Sequence, residues 1–319
     1  MNGSWSWWGA VGVLLQMVVV VVAAPYLVGL MRQVRARLEG RVGGGVGQPW
    51  RDLRKLLRKE AISPEGSSLV FVAAPAVALS ASLVVVAVAP FIVTGSPLDA
   101  VADLYAVVSL MLLGSVAFAL AGLDTGSAFG GMGSSRTMMV AALAEPTLLL
   151  TGFALAVRVG SSNLGQLVDR SQQAPGEVFS PAVLLAAAAL AIVVVAEAGR
   201  LPVDNPTTHL ELTMIHEATI LEYAGRDLAV VELASSIRLT ILLGLWVNLF
   251  LPWGIPGAAT PVALALGALV FLLKVGLAAA ALSAAEVFMA KWRLFRVPEL
   301  LAGSFLFGVL AVSTSFFLA

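Results

Sequence analysis

Glu145 lies inside an apolar stretch of the chain, while Glu197 ends another, Glu232 opens a third and Glu286 closes a fourth. A carboxylate at such a depth is costly unless it is paired, hydrated or protonated, so each needs a reason to be there. For Glu232 and Glu286, an interfacial position is as good a reading as a buried one. Between Glu197 and Glu232 the chain runs EAGRLPVDNPTTHLELTMIHEATILEYAGRDLAVVE, adding Asp204, Glu211, Glu217, Glu222 and Asp227. Neighbouring, partly buried carboxylates have raised and mutually coupled pKa values, which lets them take up and pass protons near neutral pH. A proton relay is therefore one reading of this segment. An acidic docking loop for a basic partner is the other, and the residues alone weight the two equally.

Other chemistry is restricted by what the chain lacks. It contains no cysteine, so it forms no disulfide, thiolate zinc site or cysteine-ligated iron–sulfur cluster. Any such redox centre must sit on another polypeptide. His209 and His216 fall seven residues apart, near one face of a helix, without the Glu-x-x-His or His-x-x-x-His spacing that supports a metal. They read as polar residues of a helix at a membrane surface. The run RVGGGVG (Arg41–Gly47) lacks the Gly-Lys-Ser/Thr ending of a phosphate loop and reads as a flexible turn. A formal net charge of zero argues against a nucleic-acid partner.

The elements that must position these acids are membrane helices. Of 319 residues, 59% are hydrophobic and 12% charged, and the mean hydropathy is +0.95, values that belong in a bilayer. Roughly 20 apolar residues cross the hydrocarbon core as a helix. Stretches of that kind fall at Gly9–Met31, Leu69–Thr94, Val101–Gly122, Thr137–Val157, Pro181–Ala196, Leu228–Leu251, Pro261–Ala285 and Pro298–Leu318. The first follows Trp5, Trp7 and Trp8 and no basic residue, so it reads as a retained span behind an interfacial tryptophan belt and not as a signal peptide. The expectation is an all-α polytopic membrane protein of about eight spans, a single integral domain over residues 1–319.

With eight spans the connections alternate. Fifteen basic residues then fall on one side, including Arg136, Arg200 and Arg226, against Arg158 and Arg170 on the other, leaving Arg238 and Lys274 inside spans. The positive-inside rule makes the basic side cytoplasmic and puts both termini on the outer face. The segment WRDLRKLLRKE at residues 50–60 sets leucines among basic residues and is expected to be an amphipathic surface helix, either a lipid anchor or a docking surface. In the cytoplasmic acidic loop, residues 197–227, Pro202 and Pro206 hold the first part extended. A helix is expected from about Thr208 to Tyr223, with Glu211 and Glu222 on one face and Glu217 pointing elsewhere.

Three stretches carry a resemblance over essentially the whole chain: GLDTGSAFGGMGSSR (Gly122–Arg136), EAGRLPVDNPTTHLELTMIHEATILEY (Glu197–Tyr223) and AKWRLFRVPELL (Ala290–Leu301). The chain resembles the membrane subunit shared by formate hydrogenlyase, other group 4 nickel–iron hydrogenases and, as subunit 1, respiratory complex I. The Glu-x-x-Arg-x-Pro-x-Asp pattern of the complex I subunit is matched by Glu197, Arg200, Pro202 and Asp204. A later Glu is matched by Glu211, the Glu-Tyr pair by Glu222 and Tyr223, and an Arg nine residues before an intramembrane Glu by Arg136 and Glu145. The Asn-Pro-Thr-Thr-His, Ile-His-Glu-Ala and Val-Pro-Glu-Leu-Leu stretches resemble the hydrogenase branch.

The resemblance implies a non-catalytic subunit of an inner-membrane oxidoreductase complex, coupling electron transfer in a soluble arm to proton or sodium translocation. The implied relay is Glu145, Glu197, Asp204, Glu211, Glu217 and Glu222, supported by Arg136, Arg200, Tyr223 and Lys274. The arm would dock on Arg51, Arg54 and Lys55 and on Lys291, Arg293 and Arg296. Hydrophilic large and small hydrogenase subunits would carry the nickel–iron site and the iron–sulfur clusters, antiporter-like membrane subunits would take the ions, and this chain would hold no cofactor or metal. A quinone-site-forming subunit, a purely structural anchor and a stand-alone transporter remain as alternatives, the last without an internal repeat to support it.

Overall fold

The chain is described by a computed structural model over residues 7–204 and 214–318. Among those residues it is built of helices: α1 (Trp7–Leu38), α2 (Gln48–Leu57), α3 (Leu69–Val88), α4 (Leu104–Asp124), α5 (Ala128–Val159), α6 (Leu164–Gln173), α7 (Pro181–Glu197), α8 (His216–Ile220), α9 (Gly225–Phe250), α10 (Pro261–Phe288) and α11 (Val297–Leu318). Seven of these reach a length and apolarity that cross a bilayer, and α7, equally apolar, is 17 residues long. The chain is a multi-pass, all-α membrane protein with the eight apolar helices its hydropathy calls for.

The helix starts follow from local chemistry. Ser68, Asp103, Ser127, Asn163 and Thr260 each precede a helix and accept a hydrogen bond from one of its first free N–H groups, a group with no partner in the helix itself. The most buried span is α9, which packs against α1, α3, α7 and α10 among the spans and against α2 at its first turns. Around it, α5, α7 and α11 form one group, α3 and α4 a pair, and α1 and α10 another.

Where a surface helix is expected at residues 50–60, the chain forms α2, which ends at Leu57. It buries Pro49 and Leu53 toward α1 and α9 and leaves Arg51, Arg54 and Lys55 exposed. Other boundaries differ from the expectation. α5 begins at Ala128, upstream of Thr137, because Ser127 caps it there; Arg136 is therefore a helical residue. At the opposite end of the bundle, α6 is a short amphipathic helix that the hydropathy pattern does not announce.

The expected helix from Thr208 to Tyr223 is the clearest correction. Within its described part only His216–Ile220 is helical, and Glu222 sits in the turn before α9. Tyr223 accounts for the stop. Its ring stacks on Phe71 at 4.2 Å, and its hydroxyl donates to Phe71 O at 2.8 Å, so tertiary anchoring on α3 overrides local helical tendency. His209 and Glu211, and with them the shared face of Glu211 and Glu222, lie outside the described residues.

Candidate functional site

The site exists because α7 stops early. Seventeen residues rise about 25 Å, short of the roughly 30 Å hydrocarbon core, so the chain leaves helical geometry inside the bundle. The exit is a Schellman turn: Gly199 N donates to Ala196 O (3.1 Å), Arg200 N donates to Val195 O (3.0 Å), and Gly199 takes φ +57°. Val203 N and Asp204 N then both donate to Arg200 O, at 2.9 and 3.0 Å. Irregular backbone at such depth is tolerated where it is buried in protein or lines a cavity. A cavity of about 210 Å³ does lie there, bordered by Arg200 and Asp204 and reaching Glu197 and Arg238.

At its inner end three charged side chains meet. Arg238, halfway along α9, pairs through Nη2 with Glu197 Oε2 at the end of α7. The same Nη2 lies 3.9 Å from Glu145 Oε1 on α5, while Nη1 donates to Met111 O on α4 at 2.7 Å. Four helices are thus braced by one guanidinium. Its planar fork suits this task, since it reaches several acceptors at once and keeps its charge. Both carboxylates are buried, and Glu145 Oε2 has no hydrogen-bond partner among the described residues.

A second set of pairs fastens the segment after α7. Arg200 Nε lies 3.9 Å from Glu286 Oε1 of α10, both side chains largely buried. Burial pulls the Arg200 guanidinium below its ordinary pKa, and the Glu286 carboxylate opposes that shift. Asp204 accepts from Lys291 Nζ at 2.7 Å and from Ile215 N at 3.1 Å. Trp292 N donates to Pro202 O at 2.9 Å, and Arg136 Nη1 donates to Met214 O at 2.7 Å. Arg200 thus pairs with Glu286 and Asp204 with Lys291, because the connector after α10 folds back onto the loop.

Glu197, Asp204, Glu217 and Arg200 line the cavity, and Glu145 joins them only through Arg238. Arg136 and Tyr223 fasten the surrounding backbone. Burial raises the Tyr223 phenol well above its ordinary pKa, with Asp227 and Asp124 adding to the effect, so it remains a hydrogen-bond donor. Glu222 lies in the turn before α9, and Lys274 is not part of the group: it donates to Leu251 O at 2.5 Å, where α9 ends at the opposite side of the bundle. Of the six basic docking candidates, Arg51, Arg54, Lys55, Arg293 and Arg296 are exposed, whereas Lys291 is turned inward to Asp204.

Sequence reasoning missed Arg238, Glu286 and His216 as site residues. For Arg238 a signal was present, since an arginine in the middle of an apolar span demands an acidic partner. Among the described residues no group of three or more His, Asp or Glu is placed to hold a metal ion.

Comparison with known proteins agrees with this architecture. The family described as NADH dehydrogenase matches residues 11–316. The chain is 34% identical over 298 residues to formate hydrogenlyase subunit 4 of Escherichia coli (strain K12), covering 93% of this chain and 96% of that one. It is 33% identical over 280 residues to hydrogenase-4 component C of the same organism, covering 88% and 87%. A chain from the structure of the membrane-bound sulfane sulfur reductase, an archaeal respiratory membrane complex, superposes with a TM-score of 0.79 at 20% identity, over 96% of this chain and 99% of that one, and so shares the fold. With about one-third identity to these two relatives over most of each chain and a family match over residues 11–316, the chain belongs to the NADH dehydrogenase family.

Proposed function

We propose that this chain is the membrane subunit of a complex-I-like, energy-converting hydrogenase or formate hydrogenlyase, which anchors a soluble redox arm and couples its electron transfer to proton or sodium translocation. The observation that carries the proposal is the Glu145–Arg238–Glu197 cluster, of which Arg238 and Glu197 line a cavity. One guanidinium balances one carboxylate, so the trio is neutral when the two acids hold one proton between them. That proton reaches the cavity through Glu197 and Arg238, which line it, while Glu145 stands behind Arg238 with Oε2 unpartnered among the described residues. Protons enter past Glu217 and Glu232, pass to Glu197 and then to Glu145, and leave toward an antiporter-like membrane partner.

The nickel–iron site and the iron–sulfur clusters belong to hydrophilic partner subunits, since this chain has no cysteine to ligate either. The exposed basic faces of α2 and of the α10–α11 connector meet those partners on the cytoplasmic side of the inner membrane, with both termini on the outer face. The connector joins the two jobs, because Lys291 and Trp292 hold the acidic segment through Asp204 and Pro202. A change in the docked arm moves the cavity wall directly.

The test is Glu145→Gln in the assembled complex, reconstituted in liposomes. Redox turnover should persist while ions translocated per turnover fall by about tenfold or more, the scale of losing a positioned proton carrier. Wild-type translocation would exclude the relay. A second reading has its own observation: the cavity also touches Val28 and Arg32 on α1, beside α2, where a quinone site of the complex I type would lie. Inhibition of turnover by quinone-site ligands would favour it.

A further inference from the structure

We propose that His216 is a proton carrier of the cavity, passing protons between its water and Glu197; the inference rests on the relay reading above. Three observations carry it. His216 opens α8, and its imidazole lies against the turn that ends α7: a Cβ added to Gly199 would stand 2.6 Å from Cδ2 of the ring and 3.5 Å from Nε2. Gly199 is two residues beyond Glu197, and His216 and Glu197 both line the cavity. Second, Nε2 is buried and has no hydrogen-bond partner among the described residues.

Third, the cavity that His216 borders measures about 210 Å³, far above the roughly 10–15 Å³ that one water requires. A buried ring nitrogen left without a partner costs free energy, which favours a small turn of the ring that brings Nε2 to water in the adjoining cavity. A structural histidine would be expected to spend its nitrogen on the backbone. Here the start of α8 is fastened by other groups: Asp204 accepts from Ile215 N at 3.1 Å, and Arg136 Nη1 donates to Met214 O at 2.7 Å. The neighbouring Asp204 is committed to Lys291, and imidazole is the side chain best suited to gain and lose a proton near neutral pH.

In the step itself, Nε2 accepts the excess proton of a hydronium ion in the cavity, leaving neutral water and imidazolium. The ring then returns that proton to a water on the Glu197 side, from which the carboxylate takes it. The ring ends neutral, and no electron moves.

The experiment uses the intact complex in liposomes, comparing wild type, His216→Gln and Glu145→Gln for ions translocated per redox turnover, with and without added imidazole. His216→Asn is run in parallel and read in the same way should His216→Gln fail to assemble. The expected result is a loss of about tenfold in the His216 variant, restored in large part by imidazole, together with a loss in Glu145→Gln that imidazole leaves untouched. Wild-type translocation by the His216 variant alongside a defective Glu145→Gln would overturn the His216 proposal and leave the relay standing. A His216 defect that imidazole does not restore would also overturn it, assigning the residue to packing. Normal translocation by Glu145→Gln would remove the relay, and the His216 proposal with it.

Discussion

Two polar clusters lie buried among the apolar helices, and they treat their hydrogen bonds in opposite ways. At Gln16 on α1 every polar position is occupied. Nε2 donates to Val86 O (2.6 Å) and Ala89 O (2.7 Å), and Oε1 accepts from Phe91 N (3.1 Å) and Ile92 N (3.0 Å). The reason is local: Pro90 has no N–H to give to Val86 O, so the end of α3 would otherwise carry an orphan carbonyl. Asn248 on α9 adds bonds to Pro90 O and Phe91 O at 3.0 and 3.1 Å. Asn248 Oδ1 is left open, but the void it borders is about 10 Å³. Beside Arg238 the cavity is about 210 Å³, and among the described residues Glu145 Oε2 and His216 Nε2 have no hydrogen-bond partner. Saturated polarity holds a broken helix end, whereas the proposed relay calls for polar atoms left open near a cavity.

The sharpest way to break this contrast is Arg238→Met. It strands Glu197 and Glu145 without their counter-charge, and removing one partner of a buried ion pair costs about 3–5 kcal/mol. Thermal unfolding of the purified subunit complex should show the loss, and adding Glu197→Gln should return part of it, because the stranded charge is then gone. An Arg238→Met protein as stable as wild type would mean that the acids are already neutral and the guanidinium braces nothing. Gln16→Leu comes next. Val86 O and Ile92 N lose their partners, at about 1–3 kcal/mol for each buried orphan. Ions translocated per turnover by the assembled protein should be unchanged, and a coupling defect there would erase the distinction between the two clusters.

What the sequence made legible followed from one-dimensional signals. Hydropathy located the eight apolar helices, the leucine and arginine spacing located α2, and intramembrane carboxylates pointed to Glu145 and Glu197. The losses came where tertiary contacts decide. The helix expected through Tyr223 stops because Tyr223 anchors on Phe71 across 152 residues of sequence. The partners of Arg200 and Asp204 come from Glu286 and Lys291, distant positions that no local spacing reveals. Arg238 was visible as a charge inside a span, but its two acids sit on different helices, and only packing shows that one guanidinium serves both.

A smaller effect is expected at Gly199, which joins backbone and side-chain demands at one atom. Its φ of +57° disfavours any residue with a Cβ, and that Cβ would meet the His216 ring at 2.6 Å. Gly199→Ala should cost about 1–2 kcal/mol for the left-handed backbone alone. It should also displace His216 and so lower translocation. If stability falls while translocation stays at the wild-type level, the ring position next to α7 has no bearing on ion movement.

Lys274→Met is expected to have the smallest effect and sharpens the contrast from the other side. Lys274 is an ionisable residue within an apolar helix, the type of residue that by default marks a functional path. Its position says otherwise. Nζ donates to Leu251 O at 2.5 Å, and Leu251 N already donates to Val247 O at 2.9 Å, so the lysine closes the C-terminal end of α9. A cation there also faces the negative end of the helix dipole, which is worth about 0.3–1 kcal/mol at a partly exposed position. Losing the bond and the charge should therefore cost about 1 kcal/mol in thermal unfolding and leave ions translocated per turnover at the wild-type value. A coupling defect in this variant would extend the ion path to the opposite end of the bundle, past the Gln16 and Asn248 cluster, and the division between holding and conducting polarity would no longer follow which groups are saturated.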